Sequence, residues 1–160
     1  MAHENPASFE IAVGAGSSLN NNIDSWQVLI SPSVNRQIGN IRSLWFRIEG
    51  DVEVIHCEGK ETVVAGIAPM LRLFPYPGQD SHGPFIEAGF GANIISRHAV
   101  AYRELGGTFI ISTMAGVGYG FQFEGKAVSL SLRYRHISNG HLYPQNYGFD
   151  SCYLMVSVGF

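Results

Sequence analysis

The sequence predicts an all-β fold, a single eight-stranded antiparallel up-and-down transmembrane β-barrel. Three observations predict it. Apolar and polar residues alternate with a period of two along nearly the whole chain, as they do on strands whose two faces meet different surroundings. Charged residues make up only 14% of the 160, against about 25% in an ordinary soluble domain, so part of the surface is expected to lie out of water. The polar rows carry both signs of charge, while lysine is confined to Lys60 and Lys126.

Taken in order, the candidate strands cover residues 8–16, 25–32, 43–56, 62–74, 84–95, 108–123, 127–138 and 150–160. Gly, Pro and Asn clusters separate them, and their lengths gather near the roughly 9–11 residues that a tilted membrane strand needs. The third is the plainest. There Leu44, Phe46, Ile48, Val52 and Val54 face one way and Arg47, Glu49, Asp51 and Glu53 the other. In the seventh, Val128, Leu130, Leu132 and Tyr134 oppose Ser129, Ser131, Arg133 and Arg135. In the eighth, Cys152, Leu154, Val156, Val158 and Phe160 oppose Ser151, Tyr153, Met155, Ser157 and Gly159. A short helix over 95–105 is the one helical candidate. Gly125-Lys126 reads as a tight turn. No repeat or linker divides residues 1–160, which are expected to form one domain.

Two closures fit this pattern. A soluble lipocalin-like barrel turns its apolar face inward, whereas a membrane barrel turns it to lipid and pairs its charges inside. Arg47, Arg72, Arg133 and Arg135 against Glu10, Glu49, Asp51, Glu53 and Glu87 suit an internally paired lumen. The last strand contains Tyr153 and stops on Phe160, which resembles the C-terminal aromatic signal of bacterial outer-membrane barrels. The membrane barrel is therefore expected. An even strand number puts both termini, and the Gly125-Lys126 turn, on the periplasmic side, leaving the 96–107 and 139–149 connections outside.

Other features narrow the function. Met1 to Ser8 lacks the basic and apolar regions of a signal peptide, so an exported chain is expected in mature form, with Met1 added at expression. No run of eighteen apolar residues offers a helical span. A net charge of −3 without a basic patch gives no case for nucleic acid. Cys57 and Cys152, a single pair, are expected as small packing residues. His56, His82, His98 and His141 lack metal-ligand spacing, so neither a metal nor a cofactor is expected.

One cluster could do chemistry. The seventh strand ends Arg135-His136-Ile137-Ser138-Asn139-Gly140. His136 and Ser138 share the face of Leu130, Leu132 and Tyr134, where a polar group is costly unless it is satisfied or near the membrane interface. A hairpin symmetric about Tyr143 sets His136 opposite Asp150, Tyr134 opposite Cys152, and Leu132 opposite Leu154, so every pair keeps its face. Opposed side chains lie about 4.5–5.5 Å apart at Cβ, within reach of a carboxylate-to-imidazole bond. Ser138 as nucleophile, His136 as base and Asp150 as orienting acid would form a hydrolytic triad. Asn139, with the backbone N–H groups of Gly140 and His141, could face an oxyanion. Each also has a plain structural role open to it: Asn139-Gly140 is a good turn pair, Asp150 can start a strand, and Asn146 and Gly148 read as loop punctuation.

The same stretch, followed by Pro144, Asn146, Gly148 and Asp150, resembles the C-terminal region of the PagL family, lipid A 3-O-deacylases of Gram-negative outer membranes. Pro84-Phe85-Ile86-Glu87-Ala88-Gly89-Phe90-Gly91 is similar to that family's fifth-strand segment. The resemblance implies a serine esterase acting on the 3-position acyl ester of lipid A. Ser138 would be the nucleophile, His136 the base, Asp150 the acid and Asn139 part of the oxyanion hole. The implied partners are lipopolysaccharide and outer-membrane lipids, with a homodimer left open. Two positions depart from the family pattern: its acid is often Glu where this chain has Asp150, and it favours Ala-Gly where this chain has Gly140-His141. The competing readings are a non-enzymatic outer-membrane barrel for adhesion or envelope structure, and a soluble lipocalin-like carrier.

Overall fold

A computed structural model describes residues 7–39, 41, 43–76 and 82–160; the N-terminal stretch Met1 to Pro6 lies outside the described residues. The strands are β1 (Ser8–Ser18), β2 (Ser25–Gln37), β3 (Leu44–Cys57), β4 (Lys60–Leu73), β5 (Gly83–Ile95), β6 (Ala99–Val100), β7 (Arg103–Glu104), β8 (Phe109–Phe123), β9 (Lys126–Ser138) and β10 (Phe149–Gly159). Eight of them close into a barrel in the order β1-β10-β9-β8-β5-β4-β3-β2, every neighbouring pair antiparallel. All eight strands expected from the period-two pattern are present.

The departures are local. β2 was expected to stop at Pro32 but runs on to Gln37. Proline lacks only its own N–H, and Pro32 still opposes Ile11 of β1, while the ladder to β3 skips from Ile30↔Val52 to Ser33↔Glu49. The missing donor is absorbed by a two-residue gap on one side. The helix expected over 95–105 does not form. β6 and β7 make a small hairpin there instead, which turns Val100 and Leu105 into the barrel mouth. The turn placed at Gly125-Lys126 is one residue earlier. Phe123 pairs with Lys126, and Glu124 and Gly125 take φ of 50° and 76°, the left-handed pair that a two-residue hairpin requires.

The wall divides the chain's chemistry as a membrane barrel must. Leu130, Leu132, Leu154 and Val156 are among the aliphatic side chains exposed on its outside. Phe9, Tyr119, Phe121, Phe123 and Phe160 gather toward the Gly125 end, called here the lower end, in the manner of an interfacial aromatic girdle. Lys60 and Lys126 sit at strand ends next to turns, off the middle of the wall. Inside, Glu10, Arg47, Glu49, Arg133, Glu87 and Arg72 join in a closed ring of alternating charge, with N···O distances of 2.7–3.4 Å. Above it Arg135 pairs with Glu53 at 3.2 Å and Asp51 at 3.7 Å. Buried charges are tolerable only when paired in this way. A lipocalin-like barrel would have these two faces exchanged.

Above the charges, toward the 139–148 loop, the lumen is closed by an apolar plug. It contains Ile23, Ile55, Val64, Ile95, Val100, Leu105, Ile110, Ile137 and Phe149. Ile137 lies between His136 and Ser138 in sequence, and Phe149 precedes Asp150. Burying these two inward turns their neighbours outward, because strand residues alternate. The plug therefore anchors both strand ends that carry the candidate site.

Candidate active site

β9 and β10 pair in the expected register, Asp150↔His136, Cys152↔Tyr134 and Leu154↔Leu132. Their outward parity is clear from Leu132, 54% exposed, and Tyr134, 41% exposed. His136 Nδ1 lies 2.8 Å from Asp150 Oδ1, with side-chain exposures of 34% and 25%. The shorter acid therefore reaches the imidazole from the directly opposed position. Ser138 lies two residues beyond His136 on the same face, a rise of about 6.6 Å along the strand. Among the described residues neither Ser138 Oγ nor His136 Nε2 makes a hydrogen bond, so the hydroxyl and the second ring nitrogen are both uncommitted.

The expected oxyanion residues divide. Asn139 has the opposite parity to Ser138, and its side chain is fully buried. Its Nδ2 donates to the carbonyls of Leu105 at 2.8 Å and Gln145 at 2.6 Å, and its backbone N–H donates to Asn146 Oδ1 at 2.9 Å. The expectation of a free side-chain donor is corrected here: Asn139 fastens the loop, because strand alternation turns it inward. Gly140 and His141 form the centre of a turn closed by Leu142 N–H donating to Asn139 O at 3.1 Å. Their φ values are 60° and 66°, and among the described residues their own N–H groups have no backbone partner. His141 thus occupies a left-handed position that glycine would take without strain, though histidine is one of the residues that tolerates it.

Several contacts were not foreseen. Tyr134 donates its hydroxyl to Asp150 Oδ1 at 2.5 Å. Its place diagonal to Asp150 follows from the register, while its parity puts it in the apolar row. Asn20, in the loop after β1, donates from Nδ2 to Asp150 Oδ2 at 3.0 Å, and nothing in its local sequence signals this. Gly148 does more than punctuate the loop. A Cβ there would lie 2.6 Å from His136 Cε1 and 3.2 Å from Nε2, so the imidazole packs on its bare α-carbon. Arg103 of β7 holds that segment by donating to the carbonyls of Gly148 and Tyr147.

Below the site the outer wall carries a groove of about 550 Å³, lined by Leu130, Leu132, Leu154, Val117, Ile86 and Gly118 among others. Gly118 itself faces the lumen, where a Cβ would strike Phe85 and Ser131 at 2.4 and 2.6 Å. Cys57 is buried, Cys152 half-buried, and both are free thiols. No group of three or more His, Cys, Asp or Glu side chains among the described residues could hold a metal ion.

The profile of the family described as lipid A 3-O-deacylase (PagL) matches residues 10–159. The chain belongs to the PagL family. Among solved structures it is similar to the crystal structure of the outer membrane enzyme PagL, at 23% identity and a TM-score of 0.72, over 92% of this chain and 97% of that one. It is also similar to Neisserial surface protein A (NspA), at 16% identity and a TM-score of 0.54, over 96% of this chain and 94% of that one. A search of curated proteins finds no match. The chain thus has the fold of an outer-membrane β-barrel. The matched range, residues 10–159, runs from β1 to β10.

Proposed function

We propose that the chain is a lipid A 3-O-deacylase, a serine esterase of the outer membrane whose Ser138, His136 and Asp150 act on the lipid-facing wall. The observation that carries this reading is the 2.8 Å contact between His136 Nδ1 and Asp150, made outside the barrel beside an uncommitted serine. With Nδ1–H donated to the carboxylate, Nε2 is the basic nitrogen. Ser138 Oγ attacks the acyl carbonyl while Nε2 takes its proton. The oxyanion forms toward the free N–H groups of Gly140 and His141. Collapse breaks the bond to the sugar oxygen, which receives the proton from His136. Water, deprotonated by His136, then cleaves the acyl–Ser138 ester and releases a 3-hydroxy fatty acid.

The location suits the substrate. The 139–148 end is read as extracellular, since eight strands return both termini to the periplasmic side. An outer-leaflet lipid reaches such a site by lateral diffusion, its ester at headgroup depth and its hydrocarbon along the apolar groove below. None of these steps needs a metal or a cofactor. Mass spectrometry of lipid A from cells expressing the chain should show loss of one 3-hydroxyacyl group. Ser138→Ala and His136→Asn should each restore the full mass with the barrel still folded. Unchanged lipid A with the native chain would favour the adhesion or structural barrel instead, and continued release by Ser138→Ala would refute the nucleophile.

A further inference from the structure

The geometry points to Asn20 as a positioning residue for the triad, one that holds the Asp150 carboxylate toward His136 from the loop after β1. The inference rests on the deacylase reading above. Asp150 Oδ1 accepts from His136 Nδ1 and from Tyr134, which leaves Oδ2 to be fixed. Asn20 fixes it with Nδ2 at 3.0 Å, and its Oδ1 accepts the Asp150 backbone N–H at 2.8 Å. One side chain thus grips both the carboxylate and the backbone of the acid. Two points of contact define an orientation where one defines only a distance.

The loop is built to present this side chain. The Asn20 backbone N–H donates to Ser18 Oγ at 3.0 Å, and its carbonyl accepts from Ile23 N–H at 3.3 Å. The preceding residue, Leu19, donates its N–H to the Asp150 carbonyl at 2.9 Å. The next two asparagines are exposed, and Asn22 absorbs the turn with a φ of 60°. Only Asn20 of the three grips the acid. These contacts cross the seam where β1 meets β10, the pairing that closes the barrel. The acid is therefore fully held only in the closed molecule.

The test uses the full-length barrel refolded in detergent micelles and assayed on lipid A. Asn20→Ala should lower kcat about 10- to 100-fold, the order of loss when a catalytic group is misplaced by up to about 1 Å. KM should stay within about twofold, and the heat-modifiable gel shift of a folded barrel should be retained. Asn20→Asp has the same size but sets a carboxylate against Asp150 and cannot donate, so it should lose at least as much. It also decides the matter if Asn20→Ala does not fold. In an Asp150→Ala background, Asn20→Ala should cause less than about a twofold further loss, because its effect runs through the acid. Wild-type kcat in Asn20→Ala, or in Asn20→Asp where the alanine variant does not fold, or an equal further loss without Asp150, would overturn the assignment. Ser138→Ala is assayed alongside. Activity in that variant would remove the triad itself, whereas an inactive Ser138→Ala beside a fully active Asn20→Ala would remove only the role of Asn20.

Discussion

Replacing Gly148 by alanine separates the geometry of the site from the stability of the barrel. Gly148 has a φ of 63°, so any L side chain there costs about 1–2 kcal/mol in backbone strain. Its Cβ would also lie 2.6 Å from His136 Cε1, where ordinary contact begins at 3.4 Å. The imidazole must therefore move by roughly 0.8 Å. Misplacing a catalytic group by about 1 Å costs on the order of 100-fold in rate, so Gly148→Ala should lower kcat by about that factor. Gly125→Ala is the control. Its φ is 76° and nothing lies within 4 Å of the added carbon, so it carries the same strain without touching the site. Deacylation of lipid A in mixed micelles gives kcat, and thermal unfolding followed by circular dichroism gives stability. The two variants should destabilise alike, with only Gly148→Ala losing activity. Native kcat in Gly148→Ala, or equal losses in both, would refute the argument that a bare α-carbon seats the imidazole.

Three further outcomes are expected. Glu87→Ala strips Arg72 and Arg133 of a shared buried partner and should destabilise by about 3–5 kcal/mol, read as a lower urea midpoint in micelles; an unchanged midpoint would show that the charged ring does not support the wall. Leu132→Arg places a charge on the lipid face and should cost about 2–4 kcal/mol in bilayers, whereas improved solubility of a folded chain without detergent would argue for a wetted exterior. Tyr134→Phe removes one of three side-chain donors to Asp150 and should lower kcat by about tenfold or less, since two donors still hold the carboxylate near its place, without shifting the register; complete inactivation would mean that the phenol takes part in the chemistry.

The parts of the molecule that obey strand alternation were legible in the sequence. The parity of Leu130, Leu132 and Tyr134 fixed the face of His136 and Ser138, and a hairpin symmetric about Tyr143 gave the Asp150↔His136 pairing that the ladder contains. What escaped was set by tertiary demand or by distant loops. Val100 and Leu105 are drawn into the barrel mouth to complete the plug, which overrides the short helix expected from 95–105. Pro32 reads as a strand end, yet a barrel can leave its missing donor unpaired on one edge and continue the strand. Asn139 looked like an oxyanion donor by its place after the serine, but its parity is that of the lumen, and its amide holds Leu105 and Gln145. Asn20 stands 130 residues from Asp150, and only barrel closure brings the two together.

A fluorophosphonate probe measures the central claim most directly, since it reports a serine activated by its neighbours at the atom concerned. Applied to the folded barrel in micelles and located by peptide mass spectrometry, the label should fall on Ser138 and vanish in His136→Asn. Deacylation of lipid A that persists while Ser138 stays unlabelled, or a label carried by another serine, would contradict the account.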